Sequence, residues 1–345
     1  MKYRNILITG GAGFAGSNLA VYFKTKYPKA GVFSFDNLVR KGSEFNLPRL
    51  KEAGVKFIRG DVRHPKDLDF KSCIDLVIEC SAEPSVLAGY EKPAYIIDTN
   101  LNGTVNCLEF CRRRKADIIF ISTSRVYPYD RINAIKRREK ASRLEWKDFP
   151  GISTDFPLTG LRTLYGATKL SSELILQEYA AAYGIKTVVD RCGVLSGPWQ
   201  FGKVDQGVFT YWMLAHYFKR PLKYIGFGGD GKQVRDLLHV DDLCRLVDIQ
   251  ASRLDKISGS TYNAGGGRRA SLSLLETTGL CRRITGNKIK IGSDKRNRPG
   301  DIAIYITDNK DVTRKLGWEP RKQPAEILGD IFNWIKCNET KLRNL

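Results

Sequence analysis

Apolar runs of four to six residues punctuate the first two-thirds of the chain: ILIT at 6–9, VFSF at 32–35, KFIR at 56–59, DLVIE at 75–79, DIIFIS at 117–122 and TVVDRC at 187–192. Helical spacing of apolar residues fills the intervals, most clearly over 15–27, 95–113 and 167–183. Short apolar strands alternating with helices predict an α/β fold, a doubly wound parallel sheet with helices on both faces. From residue 193 the pattern loosens. Glycine-rich turns at 226–231 (GFGGDG) and 265–267 (GGG), with short strands and helices between them, predict a smaller C-terminal α/β region. The expected division is 1–192 and 193–345, with some exchange of chain between the two. The stretch 130–164 shows no clear period, and loops that long are usually functional or mobile.

Composition narrows the classes. At 345 residues the chain is long enough for one large core or two modest ones, and 42% hydrophobic residues is ordinary for a globular protein. No apolar run reaches the roughly 18 residues of a membrane span. Met1 and Lys2 lead directly into a strand-like segment with no secretory pattern, so a cytoplasmic address is expected and no membrane partner. Eight cysteines are scattered without a CxxC, which supports neither zinc nor a disulfide framework; no metal is expected. A formal net charge of +20 attracts anions. Its densest runs, KRREK at 136–140 and KRNR at 295–298, lack a nucleic-acid-binding signature and read as solvated surface, so no nucleic acid is expected.

Two patterns carry chemistry. Gly10, Gly13 and Gly16 form GxxGxxG between the first strand and a helix beginning near Phe14. A tight turn there brings backbone close to a pyrophosphate, whose charge faces the helix N-terminus. Asp36 ends the second strand twenty residues after Gly16, where a carboxylate bonds ribose hydroxyls and repels a 2′-phosphate. The region 1–192 therefore reads as a Rossmann-type, NAD-binding domain. In YGATK at 165–169, Tyr165 and Lys169 are four apart and share a helix face. An ammonium near a phenol favours its phenolate, which makes Tyr165 a candidate acid/base. A hydroxyl donor completes such a site, and the fifth strand ends in Ser122, Thr123 and Ser124 at the sheet edge where ligands bind.

These motifs, with GDV at 60–62, TNLNGTVN at 99–106, STSRVYP at 122–128, RDLLHVDDL at 235–243, YNAGGG at 262–267, RPGD at 298–301 and LGWEP at 316–320, resemble the extended short-chain dehydrogenase/reductases that act as NAD-dependent nucleotide-sugar epimerases and dehydratases. Within that family, FGKVDQGVF at 201–209 and GDGKQVRDLLH at 229–239 are most similar to the subgroup of CDP-paratose (CDP-tyvelose) 2-epimerases.

The resemblance implies Thr123, Tyr165 and Lys169 as the catalytic set, with Lys169 lowering the phenol's pKa and holding the nicotinamide ribose. It implies Gly10, Gly13, Phe14 and Ala15 at the pyrophosphate, and Asp36 and Asn37 at the adenosine ribose. Asp61 and Val62 would meet the adenine, and Ser81, Ala82 and Asn100 the cofactor channel. For a nucleotide-diphosphate hexose, with CDP-hexose favoured, it implies Thr123, Ser124, Arg125, Val194, Gln206, Arg235 and Arg298, the last two at the diphosphate. It also implies a homo-oligomer through the helices 95–113 and 167–183.

The chain departs from the family at Glu79, where many relatives have histidine, at Val194 and Pro128, and at Arg125, where the subgroup often has lysine. Relatives that act as 4,6-dehydratases place an Asp-Glu pair after the threonine; here Ser124 and Arg125 follow. Outside enzymes, a nucleotide sensor or a basic nucleic-acid binder are the competing readings. Retention of Thr123, Tyr165 and Lys169 disfavours the sensor.

Overall fold

The computed structural model describes residues 2–70, 72–202 and 206–343. Its chain forms two compact units. One comprises 1–126, 163–192 and 243–262; the other comprises 127–162, 193–242 and 263–345. Asp205 of the DQG segment, with Lys203 and Val204 beside it, lies outside the described residues.

The first unit is built on a seven-stranded sheet. In chain order its strands are β1 (Asn5–Thr9), β2 (Gly31–Asp36), β3 (Lys56–Arg59), β4 (Leu76–Glu79), β5 (Asp117–Thr123), Thr187–Cys192 and Ser260–Ala264. Across the sheet the order is Ser260–Ala264, Thr187–Cys192, β5, β4, β1, β2, β3. The chain adds β2 and β3 on one side of β1 and then β4 and β5 on the other, so the strand order reverses there, and this is the switch point at which such sheets bind ligands. The five neighbouring pairs from β3 to Thr187–Cys192 are all parallel. Strands covered on both faces read as unbroken apolar runs, and β4 and Thr187–Cys192 are buried at every position. Leu7, Phe35, Val77, Leu108, Phe110, Ile118, Phe120 and Leu176 join strands to helices in one core.

The predicted strands are found within a residue at either end. The seventh, Ser260–Ala264, was legible only as part of the YNAGGG motif, because two hydroxyls and an asparagine hide its period. The helix expected over 95–113 is interrupted: Pro93–Ile97 and Gly103–Arg114 flank a π-helical turn, Asp98–Asn102. The turn delivers Asn100 inward, and π turns are frequent at functional sites. The helix expected to begin at 167 begins at Leu164 (Leu164–Tyr183) and is capped by Thr163, whose Oγ1 accepts from Gly166 N at 3.3 Å. It ends at Gly184, with φ 67° in the left-handed region that glycine adopts without strain.

The second unit carries a four-stranded sheet in which Val234–His239 pairs parallel with Val194–Ser196 and Ile304–Tyr305 and antiparallel with Ser271–Ser273. Its core includes Phe209, Trp212, Met213, Ile327, Ile331 and Trp334. The stretch 130–164 is not without structure. Tyr129–Ala134 is helical, and Arg137–Glu139 pairs antiparallel with Leu144–Trp146. Three-residue strands carry too few alternations to register as a period, although Trp146 anchors this hairpin at 4% exposure. All eight cysteines are free thiols. Among the described residues no helix is long and apolar enough to cross a membrane.

Candidate active site

The turn after β1 is fixed by backbone crowding. Gly10 has φ 61°, and a Cβ there would stand 2.8 Å from the Cys80 carbonyl oxygen. A Cβ on Gly13 would stand 3.0 Å from the Gly10 oxygen, and one on Gly16 only 2.3 Å from it. The chain therefore passes close over its own backbone and enters α1 (Phe14–Lys26), whose first turn has no side-chain cap and no acidic residue. Phe14 and Ala15 begin that turn. Uncapped N–H groups at the positive end of a 13-residue helix suit a pyrophosphate. The residues present thus fit a dinucleotide.

Asp36 ends β2 beside the glycine turn. One carboxylate oxygen accepts from Ala12 N at 3.1 Å and the other from Leu38 N at 2.8 Å, so its geometry is set by the glycine turn. Burial raises its pKa and these backbone donors oppose that rise. Asn37 Nδ2 donates to Asp61 Oδ2 at 2.8 Å, and Arg63 pairs with the same carboxylate at 2.6 Å. Burial works against the Asp61 anion, but Arg63 and Asn37 outweigh it and hold the carboxyl below its ordinary range. Val62 is buried against Gly103, and its carbonyl accepts from Asn106 Nδ2 at 2.8 Å. Beyond β4, Ser81 Oγ donates to Thr9 Oγ1 at 2.8 Å, and Ala82 follows half-buried. Asn100, fully buried, accepts from Glu83 N at 2.8 Å and clips the chain after β4 to the π turn.

The catalytic candidates converge at the end of β5. Thr123 and Ser124 are buried there, and the Thr123 hydroxyl lies near enough to the half-buried Tyr165 phenol to act on its proton. Gly166 explains the next residue of YGATK: a Cβ there would stand 2.1 Å from the Arg125 carbonyl oxygen, so only glycine lets the helix approach this closely. Burial pushes the Tyr165 phenol up to about 12, while the Thr123 hydroxyl and the Arg125 guanidinium work to lower it. Arg125 is thus the cation that acts on the phenol. Lys169, 1% exposed, has its Nζ 3.7 Å from the centroid of the Phe120 ring. Burial lowers its pKa, and Glu79 opposes most strongly.

One pair escaped the sequence reading. Arg191 donates to Glu173 through Nε at 3.0 Å and Nη2 at 2.7 Å, and Ser122 Oγ donates to the same carboxylate. The pair ties the strand Thr187–Cys192 and the residue before Thr123 to the Tyr165 helix. Its signal was present as two charges inside the apolar run TVVDRC, since buried charges require partners.

In the second unit, Arg235 Nη2 pairs with Asp301 at 2.9 Å, and Asp301 N donates to the Arg298 carbonyl at 3.2 Å. That aspartate thus meets the Arg235 guanidinium with its carboxylate and the Arg298 backbone with its N–H. Val194 begins a strand whose partner at that position is Leu237, and Gln206 is half-buried two residues before the helix Val208–Tyr217.

A parallel sheet with a glycine-rich first turn, an acid ending β2, and a threonine, tyrosine and lysine gathered at β5 defines a Rossmann-type enzyme of the short-chain dehydrogenase/reductase kind. The model of the NAD dependent epimerase/dehydratase family matches residues 6–265, and the chain belongs to that family. It is 30% identical over 337 residues to the CDP-paratose 2-epimerase of Salmonella typhi, covering 95% of this chain and 98% of that protein. It is 28% identical to the dTDP-glucose 4,6-dehydratase of Streptomyces antibioticus, covering 97% and 93%. Among solved structures, the UDP-glucuronic acid 4-epimerase of Bacillus cereus, in complex with UDP-glucuronic acid and NAD, is 26% identical with a TM-score of 0.80, covering 96% and 99%. The cofactor is NAD.

Proposed function

We propose that the chain is an epimerase of a nucleotide-diphosphate hexose that inverts C2 of a CDP-linked sugar. The observation that carries epimerisation is the assembly of Thr123, Tyr165 and Lys169 at the end of β5, followed by Ser124 and Arg125. Neither of those two side chains is the carboxylic acid that elimination of water would use in the dehydratase relatives. The choice of C2 and of CDP rests on the likeness to the Salmonella protein and on the DQG and GKQVRD segments.

The Gly10–Gly16 turn would hold the pyrophosphate of NAD, with Asp36 and Asn37 at its adenosine ribose, and the bound dinucleotide would supply a hydride acceptor and donor for the sugar carbon. Tyr165 Oη takes the sugar hydroxyl proton as the C–H bond breaks and gives it back on reduction. Thr123 Oγ1 orients that hydroxyl. Arg125 opposes the burial that disfavours the phenolate, and Lys169, one helical turn away, is given the role of adding positive charge. Asp61 and Val62 flank the adenine, and Ser81, Ala82 and Asn100 shape the channel. Arg235 and Arg298 hold the diphosphate; Val194 and Gln206 act on the sugar side. The protein works as a cytoplasmic homo-oligomer.

A second reading is inversion at C4 or 4,6-dehydration, because relatives with both activities match the whole chain. Purified protein incubated with CDP-, UDP-, GDP- and dTDP-hexoses, with products identified by NMR, separates the two. Inversion at C2 of a CDP-sugar supports the proposal. Inversion at C4, or a 4-keto-6-deoxy product, supports the second reading, and no turnover with any sugar opposes both.

A further inference from the structure

Glu79 ends β4 directly opposite Phe120 of β5, and register partners in a parallel pair present their side chains to the same face. The Lys169 ammonium stands over that Phe120 ring. Glu79 and Lys169 are each 1% exposed, so a carboxyl and an ammonium share one water-free layer beside the sheet. Thr104 Oγ1 divides its one proton between Glu79 Oε1 at 3.1 Å and the Asn100 carbonyl at 2.8 Å, whereas Oε2 makes no hydrogen bond among the described residues. An isolated ammonium in such a place would shed its proton, because burial penalises the charged form by several pKa units.

We propose that Glu79 is a positioning residue for Lys169: its carboxylate, steadied by Thr104, is the counter-charge that keeps the ammonium protonated on the Phe120 ring one helical turn from Tyr165. The inference rests on the proposed function only in giving Lys169 a part in catalysis.

The other groups facing this layer, Glu173 among them, support the ammonium less than Glu79 does. Cys80 on the same strand end, Cys107 and Cys111 on Gly103–Arg114, and Cys192 on the adjoining strand are all pushed upward by burial and stay neutral thiols. The Glu173 carboxylate is held by Arg191 and Ser122. Asp190 bonds Gln250, and burial pushes its carboxyl up to about 7. Burial likewise pushes Glu79 up to about 7, with Lys169, Thr104 and Ser81 pulling against it. The coupling therefore works within the neutral range: above that point Glu79 is anionic and supports the ammonium, and below it the support fades.

The test needs neither cofactor nor sugar, so its failure is distinct from failure of the epimerase reading. In protein labelled with 13Cε-lysine, the Lys169 resonance, assigned by its loss in Lys169→Arg, is titrated in the wild type and in Glu79→Gln. Glutamine keeps the shape and an acceptor for Thr104 but no charge. The expected result is titration at distinctly lower pH in Glu79→Gln and recovery toward wild type in Glu79→Asp; the same titration in all three overturns the proposal.

A reciprocal measurement guards against a variant that does not fold. In 13Cδ-glutamate-labelled wild type, one carboxyl is expected to titrate near neutrality, and Lys169→Met is expected to drive it higher. The proposal is overturned if no glutamate titrates above the ordinary range, or if its titration ignores the loss of Lys169. Once a sugar substrate is in hand, the alkaline limb of the kcat profile moves to lower pH in Glu79→Gln; a purely structural Glu79 would lower kcat without moving the limb.

Discussion

Removing Arg191 tests how the site is held. Its guanidinium grips Glu173 through two nitrogens, at 3.0 and 2.7 Å, and the side chains are 7% and 2% exposed. Arg191→Met keeps the apolar volume but leaves a carboxylate buried against Ser122 with no guanidinium to pair with it. Breaking one side of such a pair costs about 3–5 kcal/mol, most of it the desolvation of the orphaned charge. Replacing both partners, in Glu173→Leu with Arg191→Met, removes that charge and is expected to recover most of the loss, so the two substitutions are strongly non-additive. Urea unfolding of the four proteins at pH 7 gives the cycle. Because Ser122 precedes Thr123, the double variant, though stable, should still lose turnover as the end of β5 loosens from the Tyr165 helix. A loss below about 1 kcal/mol in Arg191→Met, or additive losses in the double variant, would refute the reasoning.

Much of this arrangement was legible beforehand. The strands were marked by apolar runs because a sheet covered on both faces has no polar positions to interrupt it, and the glycine turn was marked because only glycine tolerates its backbone contacts. Tyr165 and Lys169 were placed by helical spacing alone. What spacing could not show is depth. Lys169 at four from Tyr165 is equally compatible with a solvated lysine, and only the sheet behind it reveals the Phe120 ring and Glu79. Nor does a one-dimensional pattern tell that Arg191 meets Glu173, since they are eighteen residues apart on different elements. The hairpin around 137–146 and the π turn at 98–102 were hidden for a related reason: both are set by tertiary contacts over too few residues to form a period.

Three further outcomes are expected. Tyr165→Phe removes the proton carrier but keeps the ring, so NAD content should persist while turnover falls about a hundred- to ten-thousand-fold; near-normal turnover would reject the assignment. Asp36→Ala should weaken NAD binding in a fluorescence titration, and unchanged affinity would count against its ribose role. Asp190, fully buried with one oxygen bonded to Gln250 at 2.7 Å, has its carboxyl pushed by burial from 3.8 up to about 7. A raised carboxyl favours the folded state below pH 3.8, and that advantage is lost as pH rises through about 7. The shift of about three units corresponds to about 4 kcal/mol, so Asp190→Asn should gain up to that much on the wild type between pH 4 and pH 8 in urea unfolding; a pH-independent difference would contradict it.

The central claim is that hydride leaves one sugar carbon and returns to the same carbon, with the nicotinamide as its acceptor and Tyr165 carrying only the hydroxyl proton. The direct measurement is NMR of the epimerised product formed in deuterium oxide from the sugar that the panel identifies. Internal return predicts protium at the inverted carbon after full conversion. Solvent deuterium at that carbon would contradict the account, because it would mean deprotonation beside a carbonyl rather than transfer of hydride.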